Sequence, residues 1–212
     1  MLDKSIEYKH VIMRLDCNEF TTLEPELPPG YSFRFFKPSD EKNWSRIETS
    51  VLEFDSEQAA ENYFRIAYLP YINELGKRCV FILDPEGLPV ATANAWYANS
   101  ELGHQASLHW VAVRPEYQGK GLGKAITKKT LQIFHSMENG IPVWIHTQTW
   151  SHVAIRLYHS LGFNMVQSGR LADSNTTDGN VRIFPNDFHE AIQLMKSVMD
   201  AGYIEELQRT AV

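Results

Sequence analysis

A chain of 212 residues can bury one core with some decoration, and its 43% hydrophobic and 22% charged residues match an ordinary soluble globular protein. No apolar run approaches the ~18 residues that a membrane span needs, and a net charge of −6 offers no broad basic surface to a phosphate backbone, so neither a membrane nor a nucleic acid is expected as a partner. Residues 1–7 show no cationic segment followed by an apolar stretch, so no secretory leader is expected and the cytoplasm is the expected compartment.

One domain is expected over 1–212, with 1–30 as an N-terminal extension and 168–212 as a C-terminal loop and helical extension. Residues 9–16 read as an added strand. Pro25, Pro28, Pro29 and Gly30 then break regular structure ahead of a strand at 31–36. A helix is predicted over 41–52, with Ser39 or Asp40 placed to accept from its first amides. A second follows Asp55 and Ser56, because Ala59, Ala60, Tyr63, Phe64 and Ala67 recur at three and four residues until Pro70 disrupts it. Residues 79–83 and 90–97 flank Asp84-Pro85-Glu86-Gly87 as a hairpin. Cys17 and Cys79 lie far apart without CxxC or Cys/His spacing, which argues for spare buried thiols over a zinc site or a disulfide.

A strand over 107–113 leads through a glycine-rich turn into a helix over 122–137, whose apolar stripe is Leu122, Ala125, Ile126, Ile133, Phe134 and Met137 and whose stop is Asn139-Gly140. A strand over 143–149, a short helix from Ser151 to Gly162, an extended 163–167 and an amphipathic helix over 187–201 complete the order. The last helix could cover a sheet or join a second copy. Strands and helices in this sequence define a mixed α/β layer architecture.

The turn Gln118-Gly119-Lys120-Gly121-Leu122-Gly123-Lys124 is built to cradle an anion. Glycines let backbone approach a phosphate, and the first amides of the following helix point at it with the positive end of the dipole. The spacing excludes two alternatives. GxxxxGK[ST] fails because Lys124 stands five residues after Gly119 and Ile126 five after Gly121, and GxGxxG fails because Lys124 stands three after Gly121.

What remains is Q-x-x-G-x-G behind Leu108-His109-Trp110-Val111-Ala112-Val113-Arg114-Pro115. That run resembles the acetyl-CoA motif of the GNAT superfamily of N-acetyltransferases. Downstream, Ser151-x-x-Ala154-Ile155-x-Leu157-Tyr158-x-x-x-Gly162-Phe163 resembles the family's N-x-x-A-x-x-L-Y-x-x-x-G-F helix, with Ser151 where asparagine is common. Serine can still cap the helix or bond to the cofactor.

The resemblance implies a fold with a mixed, largely antiparallel central sheet, flanked by helices and containing one parallel, splayed pair, 108–113 beside 143–149. It implies acetyl-CoA as co-substrate, no metal, and a primary amine as acceptor. Val111, Ala112 and Val113 would contact the pantetheine and thioester through their backbone. Gln118, Gly119, Lys120, Gly121, Leu122, Gly123 and Lys124 would hold the pyrophosphate, and Ser151 would add a contact. Because the family often pairs, a homodimer is expected.

Two proton demands follow from the chemistry. An acceptor amine with a pKa of ~10.4 must lose a proton before it attacks, and the departing thiolate gains from one. Tyr158 occupies the family's general-acid position. His109, alternating with Ser107, Val111 and Val113 on one strand face, is the first choice of base, directly or through water; His146, His152 and His159 have weaker claims. Glu53, Asp55, Glu57 and the Trp96-Tyr97 end of the hairpin are candidate acceptor contacts, with Trp144 and Trp150 as further walls. A small-molecule acceptor leads; the alternatives are a protein N-terminus or lysine, and a non-catalytic acyl-CoA-binding sensor.

Overall fold

In a computed structural model, residues 2–16, 24–100, 103–138, 140–173 and 182–212 are described. The first strand, β1 (His10–Leu15), is followed by β2 (Ser32–Phe35), α1 (Glu41–Ser50), α2 (Glu57–Ala67), α3 (Ile72–Arg78), β3 (Cys79–Leu83), β4 (Pro89–Ser100) and β5 (Gly103–Val113). Then come α4 (Leu122–Met137), β6 (Val143–Gln148), α5 (His152–His159), β7 (Asn164–Met165), β8 (Leu171–Asp173), β9 (Arg182–Phe184), α6 (Phe188–Met195) and α7 (Ala201–Thr210). The sheet runs β2-β3-β4-β5-β6-β1-β7, with β8 paired to the far end of β4 and β9 to β8. Every pairing is antiparallel except β5 with β6. This is the mixed, largely antiparallel α/β sheet with one parallel pair that the sequence implied.

β1 is no edge decoration. It lies between β6 and β7, in register from His10 against Gln148 to Leu15 against Val143. Val11, Met13 and Leu15 point into the main core and Ile12 into a smaller one with Trp144 and Val166, so both faces are covered and Val11 to Met13 reads as a short apolar run that Arg14 interrupts.

Two layers of side chains flank the sheet. On one face, α4, α5, α6 and α7 bury Ile126, Phe134, Ile155, Ile192 and Ile204 against β1, β3, β4 and β6. α6 therefore covers the sheet, burying Phe188, Ala191, Ile192 and Met195. On the other face, α1, α2 and α3 pack Trp44, Ile47, Phe64, Tyr68 and Leu75 against Phe81 and Trp96. Cys79 is wholly buried in this second layer; Cys17 lies outside the described residues.

Local differences from the sequence reading have physical causes. Asp40 does not cap α1 with its side chain. Its carboxylate instead takes both Arg34 guanidinium nitrogens at 2.6 and 2.8 Å, together with Asn43 and the Lys37 amide, a bidentate charged arrangement stronger than a cap bond. Ser56 does cap α2, accepting from Ala59 at 3.2 Å. After Pro70 the chain re-enters helix as α3, and the expected helix over 187–201 divides into α6 and α7 around residues 196–200. Tyr203 and Ile204 amides bond back to the Asp200 carbonyl to start the second piece.

Met13 is fully buried at the centre of this inner strand. Met13→Ala should cost about 2–5 kcal/mol, read as a lower urea midpoint at unchanged slope; a change under about 0.5 kcal/mol would mean that β1 contributes as an edge strand would.

Candidate active site

β4 and β5 fall out of step at one place. Thr92 faces Ala112 and Asn94 faces His109, so Ala93 is opposed by both Trp110 and Val111, the signature of a β-bulge. Trp110 carries φ +51, a conformation costing a bulky residue roughly 1–3 kcal/mol. Packing holds it: its ring lies 5.2 Å from Phe54, 5.2 Å from Tyr63 and 5.6 Å from Trp44, and its indole N–H donates to the Tyr63 hydroxyl at 3.3 Å.

The bulge has two effects. The parallel register of β5 with β6 stops at Ser107 against Trp144, so 108–113 diverges from β6 and opens a gap. It also shifts the side-chain phase. Trp110 and Ala112 turn to the α1–α2 layer, and His109 bonds Tyr68 of that same layer, whereas Val111 and Val113 pack with the main core. The expectation that His109 shares one face with Val111 and Val113 is therefore overturned by the extra residue.

A cavity of about 620 Å³ occupies the gap. It brings together His109, Val111, Ser151 and Tyr158 with Glu48, Glu53, Trp110, His146 and Trp150. One ring nitrogen of His109 lies 3.1 Å from the Tyr68 hydroxyl, which fixes the imidazole's orientation. Tyr158 is 5% exposed and meets Phe163 edge to face. Burial, with the Glu53 and Glu48 charges behind it, pushes its hydroxyl well above the usual phenol range, so Tyr158 enters any reaction at neutral pH holding its proton.

His146 stacks on Phe184 at 3.7 Å and bonds His10 at 2.9 Å. Burial first, then the neighbouring His10 and His109, lower it to about 3, leaving it neutral at pH 7. The carboxyl groups go the other way. Glu48 is 1% exposed, and one of its oxygens has no hydrogen-bond partner among the described residues. Burial, then the Glu53 charge, raise it well above the carboxylate range. Burial raises Glu53 too, against a hydrogen bond from Gln148 and the Lys4 charge.

The glycine turn lies outside the cavity lining. Gly119 and Gly121 have φ +77 and +80, and an added Cβ at either would meet nothing within 4 Å, so the left-handed backbone conformation, not crowding, demands glycine. Gly121 is the residue before α4, with no side chain capping that helix, and the first-turn amides of α4 lack intrahelical acceptors. Gly123 brings α4 against α5; a Cβ there would lie 3.4 Å from Leu157. Gln118 braces the turn, its side-chain amide donating to the Val113 carbonyl at 2.9 Å. Lys120 reaches the Tyr31 hydroxyl at 3.3 Å, and Lys124 is exposed. Ser151 does not cap α5; its hydroxyl accepts from Gln148 at 3.2 Å.

Of the expected acceptor contacts, Glu53, Asp55 and Trp150 line the cavity. Glu57 instead faces solvent beside Arg46 at 3.8 Å, Trp96 is buried against Tyr68, Tyr97 donates to Glu138, and Trp144 packs in the small core with Ile12. His152 meets Asp3 at 3.2 Å, and His159 bonds Tyr203 and Thr210, both 3.0 Å away. Glu48 and Tyr68 are site residues that the sequence reading missed. Glu48 had a signal: it sits on the helical stripe Trp44, Ile47, Glu48, Val51, a carboxyl among apolar positions at spacings of three and four. Among the described residues no group of three His, Cys, Asp or Glu side chains could hold a metal ion, and no helix is long and apolar enough to cross a membrane.

Comparison with known proteins places this geometry. Residues 42–163 match the model of the acetyltransferase (GNAT) family. Mycothiol acetyltransferase of Thermobispora bispora is 31% identical over 150 residues, 66% of this chain and 48% of its own length. The Nocardiopsis dassonvillei protein of the same name is 29% identical, covering 67% of this chain and 46% of that one. The chain thus spans about half the length of the curated relatives it matches. Among solved structures, a GCN5-related N-acetyltransferase from Sphaerobacter thermophilus shares the fold at a TM-score of 0.56 and 17% identity, over 78% of this chain and 50% of that one.

The raised Glu48 pKa has a consequence for stability. The folded state retains a proton that the unfolded chain releases near pH ~4.3, so stability falls as pH rises from there towards the folded value. Glu48→Gln should therefore match the parent near pH 4 and exceed it at pH 7 in urea unfolding; parallel curves for the two proteins would refute an uncompensated carboxyl.

Proposed function

Because the chain belongs to the acetyltransferase (GNAT) family, we propose that it transfers acetyl from acetyl-CoA to the primary amine of a small molecule, with Tyr158 as general acid and His109 as base. The observation that carries this reading is the strand gap opened at Trp110, in which His109, Tyr158 and the backbone at Val111 face one cavity. The name of the matched relatives, mycothiol acetyltransferase, supports a small-molecule acceptor over a protein one. The whole of 1–212 is read as one acetyltransferase unit.

The residues present suit acetyl-CoA. The gap beyond Ser107 leaves room for an extended arm beside Val111, Ala112 and Val113, and the left-handed turn at Gly119 and Gly121 sets amides of 119–124 toward an anion. Gln118 serves the turn through Val113, so the pyrophosphate contacts fall to Gly119, Lys120, Gly121, Leu122, Gly123 and Lys124. Ser151 lines the cavity at the start of α5. When bound, the thioester supplies the acyl group.

His109, held by Tyr68, accepts a proton from the acceptor ammonium directly or through water, and the freed nitrogen forms the new N–C bond as the C–S bond breaks, shedding its second proton to solvent to leave the neutral amide. Tyr158 gives its proton to the departing sulfur and recovers one from solvent. His146 is suited to neither role, because at pH 7 it holds no extra proton to give and its low basicity makes it a poor acceptor.

Thiol release at saturating acetyl-CoA across a panel of diamines, aminoglycosides, amino acids, aryl amines and short peptides tests the reading. Turnover on a small amine supports it; turnover on peptides alone moves the acceptor to protein, and tight acetyl-CoA binding with no thiol release across the panel favours a sensor. Tyr158→Phe should cut kcat about 10²–10⁴-fold while acetyl-CoA affinity holds, and unchanged kcat would remove Tyr158 from the chemistry. His109→Gln should flatten the acidic limb of the pH–rate profile; an unmoved limb would leave a water relay as base.

A further inference from the structure

The carboxyl end of the cavity is furnished for a cation that the reaction itself does not require. Glu48 projects from α1 into the cavity almost wholly buried, with an oxygen lacking any hydrogen-bond partner among the described residues. A buried carboxyl in that condition costs stability unless something binds it. Glu53 lines the same cavity, close enough for its charge to act on the Glu48 carboxyl. Phe54, Tyr63 and Trp110 also line the cavity, packed on one another with ring centroids 5.2–5.5 Å apart, an aromatic wall of the kind a cation can lie against. A further wall is already used in that way: the Lys4 ammonium sits 5.2 Å from the centre of the Trp150 ring.

Two carboxylates are a poor setting for the reacting nitrogen. They favour the charged form of an ammonium and raise its pKa, whereas attack on a thioester needs the proton gone. A pair of carboxylates with aromatic walls is a good setting for a second cationic group on the same molecule, one that stays protonated throughout. His109 and Tyr158 face the same cavity as Glu48 and Glu53, so one extended molecule can place one nitrogen at the chemistry and the other among the carboxylates.

We propose that the acceptor is a dicationic amine, such as an alkyl diamine or polyamine, whose non-reacting ammonium is bound by Glu48 and Glu53 beside the aromatic wall of Phe54, Tyr63 and Trp110. This rests on the amine-acetyltransferase reading and adds the class of amine. Glu48 acts here as a recognition residue, binding the group remote from the bond that forms.

The test compares 1,4-diaminobutane and 1,5-diaminopentane with n-butylamine and n-pentylamine, by calorimetry without acetyl-CoA and by thiol release with it. A charged hydrogen-bonded partner is expected to make each diamine bind about tenfold or more tighter than its monoamine. Glu48→Gln and Glu53→Gln should each erase most of that preference, while acetyl-CoA affinity, measured alongside, reports that each variant is folded. Equal binding of diamine and monoamine, or an undiminished preference in Glu48→Gln, would overturn the proposal. If monoamines turn over as well as diamines with no difference in KM, the proposal also falls and the acetyltransferase reading stands. Diamine preference that depends on Glu48 but brings no thiol release would uphold the cation site and defeat the catalytic reading.

Discussion

The structure depends on one extra residue in β5. Because Trp110 and Val111 both stand opposite Ala93, the strand cannot stay in parallel register with β6, and the sheet opens where an extended ligand could enter. An open sheet in a protein core is costly unless something else holds its edges. Here Trp44, Phe54 and Tyr63 pack around the Trp110 ring, so the aromatic layer beneath α1 and α2 offsets the strain that keeps the sheet open. The helices on that face are therefore part of the site's geometry as well as its cover.

Burial sets the state of three ionisable groups in the gap. Tyr158 and Glu48 are driven towards their protonated forms and His146 towards its neutral form, each by removal from water more than by any single partner. The cavity of the protein alone thus carries less charge than its composition suggests. A bound cation would change this balance by favouring ionised carboxyls, which links acceptor recognition to the electrostatic environment around Tyr158, since Glu53 and Glu48 both act on that hydroxyl.

Much of the architecture was legible in the residues. α4 begins and ends where its stripe and Gly121 place it, and the hairpin of β3 and β4 follows from the turn at Asp84. The glycine turn and the 151–163 helix led to the family without any structure. What escaped was non-local. Nothing in 9–16 says that this strand seats between β6 and β7, because apolar runs specify burial but not neighbours. The bulge was invisible because Trp110 is neither glycine nor flanked by turn residues, and missing it put His109 on the same face as Val111. β8 and β9, three residues each, are too short for alternation to show. Tyr68 was hidden because its role is a tertiary contact with His109 across 41 positions. Glu48 was the avoidable omission, a charged residue on an apolar stripe.

The seating of β1 bears on how the chain reaches this state. Lys9 and Thr149 exchange contacts across 140 positions, and β6 finds its antiparallel neighbour in a segment made long before it. During synthesis, β1 must wait as an apolar strand without its partners while α1 to β5 assemble, and β6 exposes an open edge until β1 closes on it. Pairings of such sequence separation fold slowly, so the last event in acquiring the native sheet is expected to be docking of the first strand, and exposed apolar segments of that kind are the ones on which chaperones act.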